Sequence, residues 1–241
     1  MTYTFAVTFL LNIPLAFSEY LCCIILTYAL IQKKPEGKWA AAMFIPYCLV
    51  LIVPTSLFFV RDWMGNAGVQ LATVYIETAG WMLVLKTVYR ETWGNTVVTG
   101  AAVVFLYWVL GGLSGFFLDG NYDLTVPSEL AAYMAESGIG TLLVVSIAAW
   151  FLRKKRLYEE YTNFLYGESK TGLWKVFFAL LPAVRVFAVE LVNEKIILNN
   201  NNPMVDLFLL LLVYGVLNYV FRCDLQKYAV RRTVPGSWNP S

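Results

Sequence analysis

LWKVFFALLPAVRVFAVELVNEKIIL, Leu173 to Leu198, is the stretch on which the reading of this chain turns. At about 1.5 Å of rise per residue it is long enough to cross a bilayer as a helix. Yet Arg185 stands near its middle and Glu190 lies about a turn and a half further on. A charge at that depth costs several kcal/mol unless it is paired or wetted. An intramembrane arginine is therefore read as a functional-site candidate whose partner stands on another part of the chain.

The rest of the sequence has the same character. Of its 241 residues, 59% are hydrophobic and 14% charged, where a soluble domain has roughly 25% charged residues. Apolar segments run from Thr4 to Ile31, Trp39 to Val60, Ala67 to Leu85, Thr96 to Leu118, Leu130 to Leu152, Leu173 to Leu198 and Met204 to Phe221. Each meets the length that a transmembrane helix needs. The reading is an all-α polytopic bundle of seven transmembrane helices. Residues 1–221 form one membrane domain and residues 222–241 a short cytoplasmic tail. The first segment lacks a basic flank and is too long for the apolar core of a signal peptide. The partner expected throughout is the lipid bilayer, not nucleic acid.

Orientation follows from the basic residues. Lys33, Lys34 and Lys38 follow the first span, Lys86 and Arg90 the third, and Arg222, Lys227, Arg231 and Arg232 the last. Arg153, Lys154, Lys155, Arg156, Lys170 and Lys175 lie between the fifth and sixth. If seven spans alternate, fifteen of the 18 Lys and Arg residues share one side. That side is the cytoplasm by the positive-inside rule, with the N-terminus outside and the C-terminus inside. Trp39, Trp93, Trp150 and Trp174 mark the inner boundary and Trp63 the outer one, as an aromatic belt would. The outer connections carry Asp62, Asp119, Asp123, Glu129, Glu194 and Asp206 against Arg61 and Lys195. Such a rim either attracts a cationic ligand or is the by-product of keeping Lys and Arg off that side.

Five ionisable groups fall inside apolar spans: Glu19, Glu77, Glu136, Arg185 and Glu190. Counted from the inner boundary, Arg185 lies about 16 Å deep and Glu77 about 14 Å, both near the midplane. Glu19, Glu136 and Glu190 fall in the outer half. Arg185 and Glu190 are about 140° apart around their helix and cannot face each other. The depth count therefore predicts a Glu77–Arg185 pair between the third and sixth spans, with the shallower acids lining a pocket open to the outside. The alternative is that these groups merely lock helices together, or that some of the carboxyls are protonated.

Pro14, Pro46, Pro54 and Pro182 stand inside spans, where each removes a backbone hydrogen bond. Pro182, one turn before Arg185, is expected to leave a carbonyl free in the same polar spot. Gly111 and Gly115 form a G-x-x-x-G in the fourth span, and Ser137, Gly138 and Gly140 put small residues in the fifth. These are helix-packing faces within the monomer or, alternatively, a homodimer seam. Between Arg153 and Gly172, Leu157, Tyr161, Phe164 and Leu165 recur at helical spacing. That pattern is either a helix in the headgroup layer or a cytoplasmic extension of the fifth span. Cys22, Cys23 and Cys48 lie in apolar runs as packing residues. With no histidine and no metal-type cysteine spacing, no metal site is expected. No Walker A, G-x-S-x-G or H-E-x-x-H sequence occurs, so neither catalysis nor a cofactor is indicated.

KTVYRETWGNTVVTGAAVVFLYWVL, from Lys86, resembles the third-loop-to-fourth-span region of bacterial peptide-pheromone receptor kinases and their relatives. These are sensor histidine kinases with a polytopic N-terminal region and a C-terminal ATP-binding domain of the GHKL type. NYVFRCDLQKYAV, from Asn218, is similar to the point where the last span of such a receptor enters its dimerising signalling helix. The resemblance implies a sensing region in the bacterial cytoplasmic membrane that detects an extracellular peptide or small molecule, with a homodimer as one arrangement. After Val230 the chain reads RRTVPGSWNPS, without the phosphoacceptor and kinase domains. The expectation is a receptor truncated before its catalytic part, or a stand-alone sensor. The rivals are a small transporter or channel subunit using the intramembrane Glu and Arg groups, and a purely structural membrane subunit.

Overall fold

Inside lipid a backbone N–H or C=O has no water to bond, so long unbroken apolar runs satisfy it within their own segment, as helices. A computed structural model describes residues 5–60, 66–114, 126–166, 172–196, 206–213 and 215. Among them there is no strand. The helices are α1 (Phe5–Ile31), α2 (Gly37–Val60), α3 (Ala67–Val88), α4 (Trp93–Ser114), α5 (Pro127–Lys154), α6 (Leu157–Tyr166) and α7 (Gly172–Ile196). Residues 206–213 are helical as well. α1 to α5 are each long and apolar enough to cross a membrane. α7 is 25 residues long, with an apolar stretch at Val176–Ala188. Gly115, Cys223 and the tail 222–241 lie outside the described residues.

Local chemistry sets the helix ends. Asn66 caps α3, its side chain accepting from the backbone N–H of Gly68 at 2.8 Å and of Val69 at 3.2 Å. Pro127 opens α5, where its missing N–H costs nothing. Gln32, Arg90 and Arg156 follow the ends of α1, α3 and α5 with φ of 56°, 54° and 55°. This left-handed turn is usually left to glycine, because a Cβ is crowded there.

α4 is apolar around its whole circumference and packs against α1, α3, α5 and α7. α1 is the second hub, in contact with α2, α4, α5 and α6. Tyr20, Tyr47 and Trp81 join α1, α2 and α3 in one aromatic cluster, with ring centroids 5.3–5.7 Å apart. The indole N–H of Trp81 donates to Thr27 Oγ1 at 3.1 Å, so this buried polar atom is satisfied. Small residues bring helices close where expected in α5: Ser18 Oγ donates to Gly138 O at 2.7 Å. Cys22, Cys23 and Cys48 are free and buried.

The segment after α5 departs from the reading as a cytoplasmic extension of the fifth span. α5 stops at Lys154 and α6 is a separate ten-residue helix. Its apolar stripe packs against protein. Tyr161 and Leu165 are buried, Phe164 and Tyr161 pack on Phe178 of α7, and the Tyr161 hydroxyl donates to Thr99 Oγ1 at 3.1 Å. The amphipathic pattern was compatible with either partner; the aromatic side chain of Phe178 supplies the protein one.

α6 belongs to a knot centred on Glu91, in the α3–α4 connection. The Glu91 side chain is 2% exposed and accepts from Lys33 Nζ, from the Tyr166 hydroxyl at 2.7 Å and from Asn95 Nδ2 at 3.1 Å. Lys86 Nζ donates to the Glu91 backbone carbonyl at 3.0 Å. Burial pushes the Glu91 carboxyl up. The hydrogen bonds from Lys33, Tyr166 and Asn95 and the Lys33 charge outweigh it, and the group titrates below its ordinary range. Lys33 comes from the α1–α2 connection and Tyr166 from α6, so these elements share one end of the bundle. The exposed Trp93 and Trp150, under Lys86 and Lys154 at 5.5 and 4.6 Å, lie at that end too.

Candidate functional site

Away from the Glu91 end, α1, α2, α3, α4, α5 and α7 surround a cavity of about 270 Å³. Its acids are Glu19 and Glu77, its cation is Arg185, and Tyr107, Trp108 and Tyr133 supply aromatic wall. The helices converge here through residues one or two turns apart: Asn12 and Glu19 on α1, Thr73 and Glu77 on α3, Tyr133, Ser137 and Thr141 on α5. This is the periodicity that puts side chains on one helix face.

Arg185 and Glu77 do reach one cavity, but they do not pair. Arg185 binds Asp206 instead, Nε to Oδ1 at 3.0 Å and a terminal guanidinium nitrogen to Oδ2 at 3.2 Å. This bidentate pair is the strong, planar form of a guanidinium–carboxylate contact, and it is buried, with side-chain exposures of 11% and 3%. Glu77 accepts from the indole N–H of Trp108. The Arg185 guanidinium lies over the same indole ring, 5.0 Å from its centroid. Trp108 therefore stands between the predicted partners and connects them, by its N–H on one side and its π face on the other.

Asp206 escaped the sequence reading because counting residues placed it in the outer connection. Arg185 lies eleven residues before Ile196, where α7 ends, about 16 Å along the helix axis. The helical segment that includes Asp206 thus meets α7 well short of Ile196.

Room for the ion pair comes from Gly112. A Cβ there would stand 1.7 Å from Asp206 Oδ2 and 3.3 Å from the Arg185 guanidinium. At Gly111, by contrast, it would meet Thr141 at an ordinary 3.6 Å. The glycine that matters in α4 is the neighbour of the one singled out from spacing.

The remaining sequence candidates divide. Glu19 is buried, lines the cavity and accepts from the Tyr47 hydroxyl at 2.9 Å. Glu136 is exposed on α5 and is not part of the cavity lining, so the expectation that it faces the pocket is corrected. One residue along, Ser137 takes that position. The side chain of Glu190 lies outside the described residues. Pro182 is inside α7 and buried. The polar partner of its turn is Tyr75 of α3, whose hydroxyl donates to Ala179 O at 3.2 Å.

No protein-family model, curated protein or solved structure matches this chain. The site is argued from its own geometry.

Between the cavity and the Glu91 end lies a layer without exposed surface. Cys23 and Leu26 on α1, Trp81 and Val84 on α3, and Val103 on α4 are each 0% exposed. Along every one of these helices the order is the same: cavity residue, dry core, knot. A side chain with no exposed surface leaves no space for water beside it, so the layer separates the two polar regions.

Proposed function

We propose that the chain is a membrane-embedded sensing region, with the cavity between Glu19, Glu77 and Arg185 as its ligand site. Seven spans, with the N-terminus outside and the Glu91 end in the cytoplasm, fit the concentration of Lys and Arg at that end. In that orientation the cavity occupies the outer half of the bilayer. The observation that carries the reading is the pairing of a polar cavity with a dry layer beneath it. A ligand admitted to such a cavity has a binding place with a dry layer of α1, α3 and α4 beneath it, as a sensor requires and an open channel does not.

Transmission needs a contact whose arrangement differs between ligand-bound and ligand-free states. Trp108 offers it, since a ligand that draws on Glu77 or the indole shifts Arg185 and, with it, the helical segment at Asp206. The sensor histidine kinases that the α3–α4 sequence resembles use their membrane spans in this role, and the reading assigns this chain the same one.

The test uses protein purified into lipid nanodiscs and a library of small molecules and short peptides, read by thermal shift. A ligand at 100 times its Kd stabilises the native state by about 2.7 kcal/mol. The expected result is a ligand that raises the melting temperature of the wild type and leaves the cavity-filled Ala16→Phe variant unmoved. Ala16 lines the cavity from α1. Solute flux into reconstituted vesicles, abolished by Arg185→Leu, would defeat the sensor in favour of transport.

A further inference from the structure

The charges around the cavity do not balance. One cation, Arg185, faces Glu19, Glu77 and Asp206. Among the described residues, its guanidinium donates two hydrogen bonds to Asp206. Glu19 and Glu77 have neutral donors, the Tyr47 hydroxyl and the Trp108 indole. Among the described residues, then, two buried carboxyls look into one cavity with no ion-pair partner of their own, a costly arrangement unless a proton or a bound cation neutralises them. The remaining wall is of two kinds. Tyr107, Trp108 and Tyr133 present aromatic surface, which favours cations. Leu15, Leu51 and Ile52 present aliphatic surface, which a bare metal ion would not use. At about 270 Å³ the space sits just below the usual range for drug-sized ligands, roughly 300–1,000 Å³.

We infer that the cavity takes a small protonated organic amine, its ammonium group between Glu19 and Glu77 and its apolar body against the aromatic and aliphatic wall. The inference rests on the cavity being a ligand site and adds the chemical class of the ligand. No bond is made or broken; the amine binds as the cation it already is near neutral pH.

Three probes of one shape and different charge test it: 2-phenylethylamine, 2-phenylethanol and phenylacetate. Binding to the full chain in nanodiscs is measured by calorimetry at neutral pH. The amine is expected to bind at least tenfold more tightly than the alcohol, with phenylacetate weakest. Glu77→Gln and Glu19→Gln are each expected to weaken the amine at least tenfold while preserving the acceptor for Trp108 or Tyr47. Glu136→Gln, outside the cavity, leaves amine binding unchanged, and Ala16→Phe abolishes it, which separates the site from partition into lipid. Should the glutamine variants fail to fold, the ranking of the three probes on the wild type still decides. Equal binding of amine and alcohol, both lost in Ala16→Phe, overturns the cation while upholding the cavity as a site. Preference for phenylacetate does the same and moves recognition to Arg185. Failure of all three at millimolar concentration also overturns the amine inference, and the library screen then judges the cavity by itself.

Discussion

Asp206→Asn keeps the shape of the side chain and removes its charge, leaving Arg185 buried beside a neutral amide. Breaking a buried ion pair by removing one partner costs about 3–5 kcal/mol, because the other charge is left uncompensated. Here the lower end applies. Glu77 stands across the indole from Arg185, which is itself 11% exposed, so part of the lost attraction is replaced. A loss of about 3 kcal/mol corresponds to a fall of roughly 6–12 °C in melting temperature for a chain of about this size. The buried thiols of Cys22, Cys23 and Cys48 provide the readout. In a Cys223→Ser background, a thiol-reactive fluorophore labels them as the bundle opens. Arg185→Met should cost a comparable amount, and the double variant Arg185→Met/Asp206→Leu should recover most of it, since a well-packed apolar pair often matches a buried ionic one. If Asp206→Asn costs less than about 1 kcal/mol, or if the two single changes simply add in the double variant, the pair does not hold these elements together.

Gly112→Ala, whose Cβ would fall 1.7 Å from Asp206 Oδ2, should displace that carboxylate and destabilise by about 1–3 kcal/mol. Gly111→Ala, with ordinary contacts, should stay within about 0.5 kcal/mol in the same melt. Trp81→Ala empties a fully buried site in the dry layer and should cost about 3–5 kcal/mol; a smaller loss in the melt would mean that the layer is not close-packed. Glu91 titrates below its ordinary value of 4.5, so its contribution is whole above that pH and is lost as pH falls through the lower folded-state value. The protection factors of the α6 amides, which correct exchange for its intrinsic pH dependence, should therefore fall on acidification below pH 4.5. In Glu91→Gln protection should already be low at neutral pH and insensitive in that window; an unchanged acid response there would remove Glu91 as its cause.

The long helices α1 to α5 and α7 were legible because each holds a long apolar run, and hydrophobicity at that length leaves few alternatives. Glu19, Glu77 and Arg185 were legible for the complementary reason: a charge in such a run stands out. Which charge met which was harder. Depth along a helix constrains a partner in one dimension, whereas pairing is set by rotation and by where the neighbouring helix starts. Glu77 was at the right depth and on the wrong side of Trp108. Asp206 was at the wrong apparent depth and in contact. Trp108 carried no signal of its own among the many aromatic residues, because its importance lies in standing between two ionic groups. Glu91 was equally silent, since a glutamate in a basic connection reads as an ordinary solvated residue until its three donors are seen around it.

The bundle is fastened unevenly, and that gives it leverage. The Glu91 knot clamps the connections and α6 at one end, while the other half surrounds the cavity. From Glu77 to Tyr89 along α3 is about 18 Å. With Tyr89 as the pivot, a displacement of 1 Å at the cavity tilts the helix by roughly 3°. Helices hinged at a common foot open and close at their free tips like the jaws of a forceps, so the smallest motion is felt at the clamp and the largest where a guest arrives.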